Sequence, residues 1–363
     1  MERLCHLLPG ADIFTLFYDP EKVSTFLRCR KITSSFLNPL KRFHTSLLPL
    51  MPIALEQFDL RGYDLVFSSE SGPAKGVLTN SNTRHVCYCH TPMRYIWDLY
   101  PMYQKEVIRT MWKRVAAAPL AHYLRMWDYA AAARVDEFVA NSTNTQRRIW
   151  RAYRRESRVI YPPVPVETFY YKPHDGYYLM VSELVAYKAL GFAISCFTRT
   201  GRKLKVVGAG KQFSMLKRLA GPNIEFCGRV PEDQLRELYA RCRAFILPGE
   251  EDFGITAVEA QASGKPVIAL GRGGVLESVP LYEPAGGIFF QSPDEASLQA
   301  AIDRFEASES LFEPYSIQAR TERFSHAAFD LRMSEILLPD NDLREQHNSF
   351  TNRYHLPERN LRT

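Results

Sequence analysis

The stretch from Ala244 to Gly274 constrains the fold more than any other part of the chain. It reads AFILPGEEDFGITAVEAQASGKPVIALGRGG. The apolar run Ala244 to Leu247 predicts a buried strand, and Pro248 and Gly249 stop it. Ile255, Val258 and Ala262 then recur at helical spacing, which gives a helix one face for a sheet. Gly264 ends that helix and Pro266 prevents its resumption. Val267 to Leu270 is a second buried strand, and Gly271 to Gly274 is a loop without side-chain bulk. Strand, helix and strand in this order belong to the α/β class.

The same stretch has the makings of a site. Gly254 lets a ligand approach the backbone at a helix start, where free N–H groups point outward and favour phosphate. Glu251 and Glu259 stand with seven residues between them. Carboxylates accept hydrogen bonds from neutral hydroxyls. Phosphate-seeking backbone beside hydroxyl-seeking carboxylates suits a sugar nucleotide. Thr256-x-x-Glu259 is also capping-box spacing, so Glu259 can instead cap its own helix. Spacing alone leaves both readings open.

The run E-D-F-G-I-T-A-V-E, followed by A-x-A-x-G-x-P-V-I-A, resembles the E-x7-E signature of the retaining glycosyltransferases of family 4. The surrounding text is most similar to the bacterial mannosyltransferase-like branch that builds surface polysaccharides. The resemblance runs from Met1 to about Leu338. It implies the GT-B fold, with two doubly wound, Rossmann-like α/β domains facing one another across a cleft. It also implies transfer of a hexose, mannose first, from a GDP- or UDP-linked donor to a glycan or lipid-linked acceptor. By the same resemblance Glu259 binds ribose hydroxyls and Glu251 orients the donor sugar. Phe253, Gly254, Ile255 and Thr256 present backbone N–H groups. No metal is required where lysine and a helix end supply positive charge.

Composition is globular: 363 residues, 46% hydrophobic and 24% charged, with a formal net charge of +6. The length suits two domains. The mild positive excess permits anionic ligands or an anionic membrane surface without establishing either. Seven cysteines, an odd number mostly in apolar runs, read as free thiols in a reducing cytoplasm. Cys87 and Cys89 flank Tyr88 on a strand and are read as facing opposite sides, a poor metal site. No apolar run reaches membrane-span length, and Met1-Glu2-Arg3 leads into a short amphipathic stretch rather than a signal peptide.

Met1 to Leu8 reads as a helix and Asp12 to Tyr18 as a strand. The resemblance implies that the family's opening strand and Gly-rich turn are missing. Ser24 to Leu50, with Lys31, Phe36, Lys41, Arg42 and Phe43, reads as a solvated helix face with a buried apolar side; contact with a membrane or lipid-linked acceptor is the alternative. Tyr63 to Ser69 and Val86 to Cys89 are buried strands. The second ends in His90-Thr91-Pro92-Met93-Arg94-Tyr95, a segment similar to the family's. Ligands sit beyond the carboxyl ends of such strands, so His90 is placed to meet a sugar hydroxyl. Tyr103 to Arg134 reads as helix broken at Pro119, and Glu137 to Ala140 as a strand. Asn141-Ser142 caps a helix carrying Arg147, Arg148, Arg151, Arg154, Arg155 and Arg158, basic enough to lie on anionic lipid. No nucleic-acid motif accompanies it.

Val159 to Pro165 holds three prolines and reads as a stiff hinge. It divides the chain into an acceptor-side domain, 1–162, and a nucleotide-sugar domain, 163–338, with a polar tail over 339–363. The second domain opens on the strand Tyr177 to Ser182. Lys188 matches the family's lysine and can neutralise a leaving diphosphate. Glu183 stands where arginine is common and is expected to point away from that charge. Gly208-Ala209-Gly210 lacks the third glycine of a dinucleotide fingerprint, since Phe213 occupies its place. The turn Gly228-Arg229-Val230 follows the strand Ile224 to Cys227, and in the family it lies against the nucleotide base. Asp340-x-Asp342 in the tail has no supporting strand and is discounted as a metal motif. The alternative to an enzyme is a non-catalytic sugar-nucleotide or glycan binder in a polysaccharide assembly complex.

Overall fold

The computed structural model describes residues 1–106, 111–280 and 286–337. The tail over 339–363, with Asp340 and Asp342, lies outside the described residues. Helix α1 spans Glu2–Leu7. Strands β1 (Ile13–Thr15) and β2 (Ile32–Ser34) pair in parallel as a small sheet of their own. The expected helix over Ser24 to Leu50 is not formed. That stretch holds one helical turn, Thr25–Arg28, then β2 and two 3-10 turns. Pro39 and Pro49 remove backbone donors, and the β-branched pair Ile32-Thr33 favours extended chain.

Four parallel strands form the first large sheet, in the order β3 (Leu65–Glu70), β4 (Arg84–Cys89), β5 (Glu137–Ala140) and β6 (Ser157–Val159). Helix α2 (Met111–Ala133) links β4 to β5, and α3 (Thr143–Tyr153) links β5 to β6. Successive right-handed crossovers between neighbouring strands put both helices on one face of the sheet. Helix α2 passes through Pro119 without a break. The carbonyl that Pro119 leaves unbonded belongs to Val115, a residue 67% exposed, on the solvent side of the helix where a proline is best tolerated. Cys87 and Cys89 share a face, packed with Ala132, Ile149 and Tyr153. Strand side chains repeat every second residue, so residues two apart point the same way.

Beneath the end of β3, Lys75 is fully buried between two carboxylates. Its ammonium pairs with Asp128 and lies 3.3 Å from Glu70. Asp128 also accepts from Trp97 Nε1 and Tyr153 OH, both at 2.8 Å. Three buried charges are tolerable only with such complete pairing. The cluster ties β3, α2 and α3 together.

The second sheet has six parallel strands: β7 (Tyr178–Val181), β8 (Leu204–Val207), β9 (Ile224–Gly228), β10 (Phe245–Leu247), β11 (Val267–Leu270) and β12 (Gly287–Phe290). Their order is β12-β11-β10-β7-β8-β9. Helices α4 (Leu190–Thr200) and α8 (Glu295–Ala307) cover one face. Helices α5 (Glu232–Arg241), α6 (Ile255–Ala262) and α7 (Val275–Ser278) cover the other. The order reverses between β7 and β10. The last described helix, α9 (His326–Leu337), packs Phe329, Met333 and Ile336 on Val86, Tyr88 and Val139 of the first sheet.

Candidate active site

In an open parallel sheet, ligands bind beyond the strand ends where the order reverses. That point lies between β7 and β10, and the loops leaving these strands carry Lys188 and Glu251. Lys188 Nζ donates to both carboxylate oxygens of Glu251, at 2.5 and 2.6 Å. The ammonium also lies 5.2 Å from the centre of the Tyr187 ring. Burial, then the carboxylates of Glu251 and Glu183, push the Tyr187 phenol up to about 12. The Glu183 side chain itself is exposed.

Helix α6 begins at Gly254, whose φ of +89° belongs to the left-handed region, and no side chain caps the helix. Ile255 is 44% exposed and Thr256 half-buried, while Phe253 is buried against Val164, Val258 and Phe324. The loop before α6 is backed by the one after β11. A Cβ on Gly274 would fall 2.0 Å from the carbonyl oxygen of Asp252, so only glycine admits this packing. Gly274 N donates to Glu251 O at 2.8 Å. These glycines shape the Glu251 loop rather than line an open cradle.

Glu259 lies in the second turn of α6, and its carboxylate accepts from Tyr239 OH at 2.8 Å. Thr256 is not the N-cap, so the capping box that the spacing allowed is not made. Burial raises the Glu259 pKa, against the Tyr239 hydrogen bond, which lowers it. Across β8, the turn after β9 holds Gly228 at φ +68°, an exposed Arg229 and a half-buried Val230 that packs toward the Tyr239 cluster.

His90 leaves β4 on the other side of the gap. Its backbone N donates to Glu70 O at 2.7 Å, and its Nε2 lies 3.0 Å from Ser69 Oγ. Burial lowers its pKa to about 4, so the ring is neutral near pH 7. Its carbonyl accepts from Thr145 Oγ1 at 3.1 Å. One turn earlier in the same helix cap, Ser142 Oγ donates to Asp252 O at 2.6 Å. The end of β4 and the Glu251 loop therefore meet across one gap, through the start of α3.

Sequence reasoning missed what holds this gap together. Arg148, grouped with the surface arginines of α3, is 16% exposed. It donates to Glu250 at 2.6 Å and Asp252 at 2.7 Å, and lies 3.2 Å from Asp98. Arg94 adds a contact to Asp252 at 3.6 Å. Burial raises the Asp252 pKa, opposed by Arg94 and Arg148. Glu277 of α7 accepts from the backbone N of Thr143 and Asn144, at 2.7 and 2.9 Å, where the N-terminal end of α3 favours negative charge. A signal existed for Arg148: it falls three residues after Thr145 and four before Ala152, on the inward edge of α3. Arg155 is also not a surface cation, since it donates to the carbonyls of Ala132, at the end of α2, and of Val135 just beyond it.

Comparison with known proteins agrees with this architecture. Residues 10–168 match the family described as Glycosyltransferase Family 4, and residues 171–322 match Glycosyl transferases group 1. An uncharacterized glycosyltransferase of Methanocaldococcus jannaschii is 27% identical over 154 residues, 41% of this chain and 44% of that protein. The GDP-mannose-dependent monoacylated alpha-(1-6)-phosphatidylinositol monomannoside mannosyltransferase of Corynebacterium glutamicum is 35% identical over 115 residues, 29% of either chain. The chain thus spans less than half the length of these curated relatives. Among solved structures, sucrose-phosphate synthase from Thermosynechococcus elongatus superposes with a TM-score of 0.70 at 18% identity, covering 96% of this chain and 92% of that one. The Anabaena protein HepE in complex with UDP-glucose gives 0.64 at 17%, covering 92% and 95%. Two family matches in chain order, one to each sheet, and a shared two-sheet architecture identify the chain as a member of the family 4 glycosyltransferases with the GT-B fold.

Proposed function

We propose that the protein is a retaining glycosyltransferase that moves a hexose, mannose first among candidates, from a GDP- or UDP-linked donor to a glycan or lipid-linked acceptor. The observation that carries this reading is the Lys188–Glu251 pair at the switch point, beside an uncapped helix start. In this reading the donor diphosphate lies between Lys188 and the N–H groups of Gly254, Ile255 and Thr256. Both neutralise the charge that grows on the leaving phosphate. Glu251, released from Lys188, accepts from a sugar hydroxyl. Glu259 accepts from ribose hydroxyls, and Gly228, Arg229 and Val230 border the base. Neutral His90 meets the sugar from the first domain. The donor phosphate assists removal of the acceptor proton, so no protein nucleophile is invoked.

The corynebacterial relative is named as GDP-mannose-dependent, and HepE was solved with UDP and UDP-glucose. Both bases therefore belong in the test. Thermal-shift screening of GDP- and UDP-sugars on the full chain comes first; a ligand at 100 times its Kd stabilises by about 2.7 kcal/mol. Turnover follows as nucleotide release, with and without EDTA. Stabilisation with turnover that survives EDTA is expected. Stabilisation without hydrolysis or transfer would favour the non-catalytic binder, and no stabilisation by either nucleotide class would overturn the reading. A cytoplasmic enzyme working at the inner face of a membrane fits the basic first domain.

A further inference from the structure

Helices α2 and α3 lie side by side on the first sheet, and their outer surfaces face the same way. They share one core, Tyr153 of α3 donates to Asp128 of α2, and Arg155 closes the end of α2. From Val115 onward the outer surface of α2 is mostly apolar, with His122 also exposed on it among the described residues. Val115, Tyr123, Met126 and Tyr129 are 67, 44, 61 and 50% exposed, and Pro119 lies among them. From Val115 to Ala133 no Asp, Glu, Lys or Arg is exposed among the described residues. At 1.5 Å per residue this stripe is about 27 Å long. An uncharged stripe of that length is more than the scattered apolar residues normal on a soluble surface.

The neighbouring surface of α3 is different. Arg147, Arg151 and Arg154 are exposed around Trp150, itself 51% exposed. Helix α3 contains no acidic residue, and among the described residues none of these three arginines pairs with a carboxylate. Arginine beside tryptophan, tyrosine and methionine fits one surface above others: anionic headgroups over hydrocarbon. A second copy of the chain would satisfy the apolar stripe but leave the arginines unanswered. An acidic protein would answer the arginines but not the stripe.

We infer that the joint face of α2 and α3 is the surface by which the protein lies on an anionic phospholipid bilayer. Both helices start at the cleft end of the sheet, as the Ser142–Asp252 and Glu277–Thr143 contacts record for α3. A bilayer on this face therefore runs up to the mouth of the cleft. The inference needs no donor and no transfer, so its test is separate from that of the enzyme reading.

The test is co-sedimentation of the full chain with vesicles of phosphatidylcholine alone or with about one third phosphatidylglycerol. Binding to the anionic vesicles, weakened by salt, is expected. Arg147→Gln with Arg151→Gln should lower partitioning roughly 30-fold, at about fivefold per charge. Met126→Ser with Tyr129→Ser should lower it at every salt concentration. All four positions are exposed, so melting midpoints should stay at the wild-type value and confirm folding. Equal binding to neutral vesicles, no binding, or wild-type binding by both variants would overturn the inference. So would a dimer in sedimentation velocity that Met126→Ser dissolves, which would assign the face to a second copy.

Discussion

Lys188 sets its ammonium against both oxygens of the Glu251 carboxylate, at 2.5 and 2.6 Å. The two residues leave neighbouring strands at the point where sheet order reverses, so the pair closes the switch point with its own charges. A bound diphosphate would compete for Lys188 and free Glu251 for a hydroxyl. In the proposed reading the pair is exchanged when the donor binds.

Removing either partner should therefore have different effects. Lys188→Met should lower kcat by about 10²–10³, the range for a lost donor at a developing oxyanion. Glu251→Ala should cut turnover more than nucleotide affinity, because its assigned contact is to the sugar. Steady-state kinetics with calorimetry of the free nucleotide separates the two. Equal loss in both quantities for Glu251→Ala would contradict its assignment.

Glu259 offers a cleaner separation of binding from stability. Burial raises its pKa, so holding it ionised costs the folded state at neutral pH. Glu259→Gln removes that cost and keeps an oxygen to accept from Tyr239. The melting midpoint without nucleotide should stay level or rise. Nucleotide affinity should fall by about 1.5–3 kcal/mol, the value of a charge-assisted hydrogen bond. A lower midpoint with unchanged affinity would make Glu259 a purely structural residue.

Arg148 joins the first-sheet half to the second through Glu250 and Asp252, and also pairs with Asp98 of its own half. Arg148→Gln would leave Asp252 with only the distant Arg94 and part of the gap lined by unopposed carboxylates. A loss of about 1–3 kcal/mol in stability is expected, since half-buried charged partners stay behind. Small-angle scattering should show a more open molecule than wild type. An unchanged scattering profile together with an unchanged midpoint would remove Arg148 from any role in closure.

The elements of the second domain were legible because their signals are local. Leu204–Val207 is apolar at three of its four positions and Val267–Leu270 at all four, each with a glycine directly after it, and the structure ends them at the same residues. Asn141-Ser142 was legible as a cap, and Ser142 Oγ accepts from Thr145 N. The failures are long-range or depend on facing. Pro119 sits on the outer side of α2, and the helix runs through it. Arg148 looked like its neighbours until a loop more than a hundred residues away met it. Lys75 carried no local signal, because its partners Glu70 and Asp128 come together only through β3 and α2.

Acid should destabilise the protein through His90. Burial lowers its folded pKa from an ordinary 6.5 to about 4. Between these values the unfolded chain binds the proton and the folded chain does not. Stability is then full above pH 6.5 and falls as pH drops through that window. The contribution is up to about 3 kcal/mol by the bottom of the window, at 1.36 kcal/mol for each unit of pKa. Glu259 and Asp252, whose pKa values are raised, act in the opposite sense at lower pH. Comparing wild type with His90→Asn cancels them. Urea midpoints taken from neutral pH down to about pH 4.5 should fall more steeply for wild type, with the two curves separating below pH 6.5. Parallel curves would mean that His90 titrates at its ordinary value and is open to water, which would also remove the neutral ring from the donor-sugar contact.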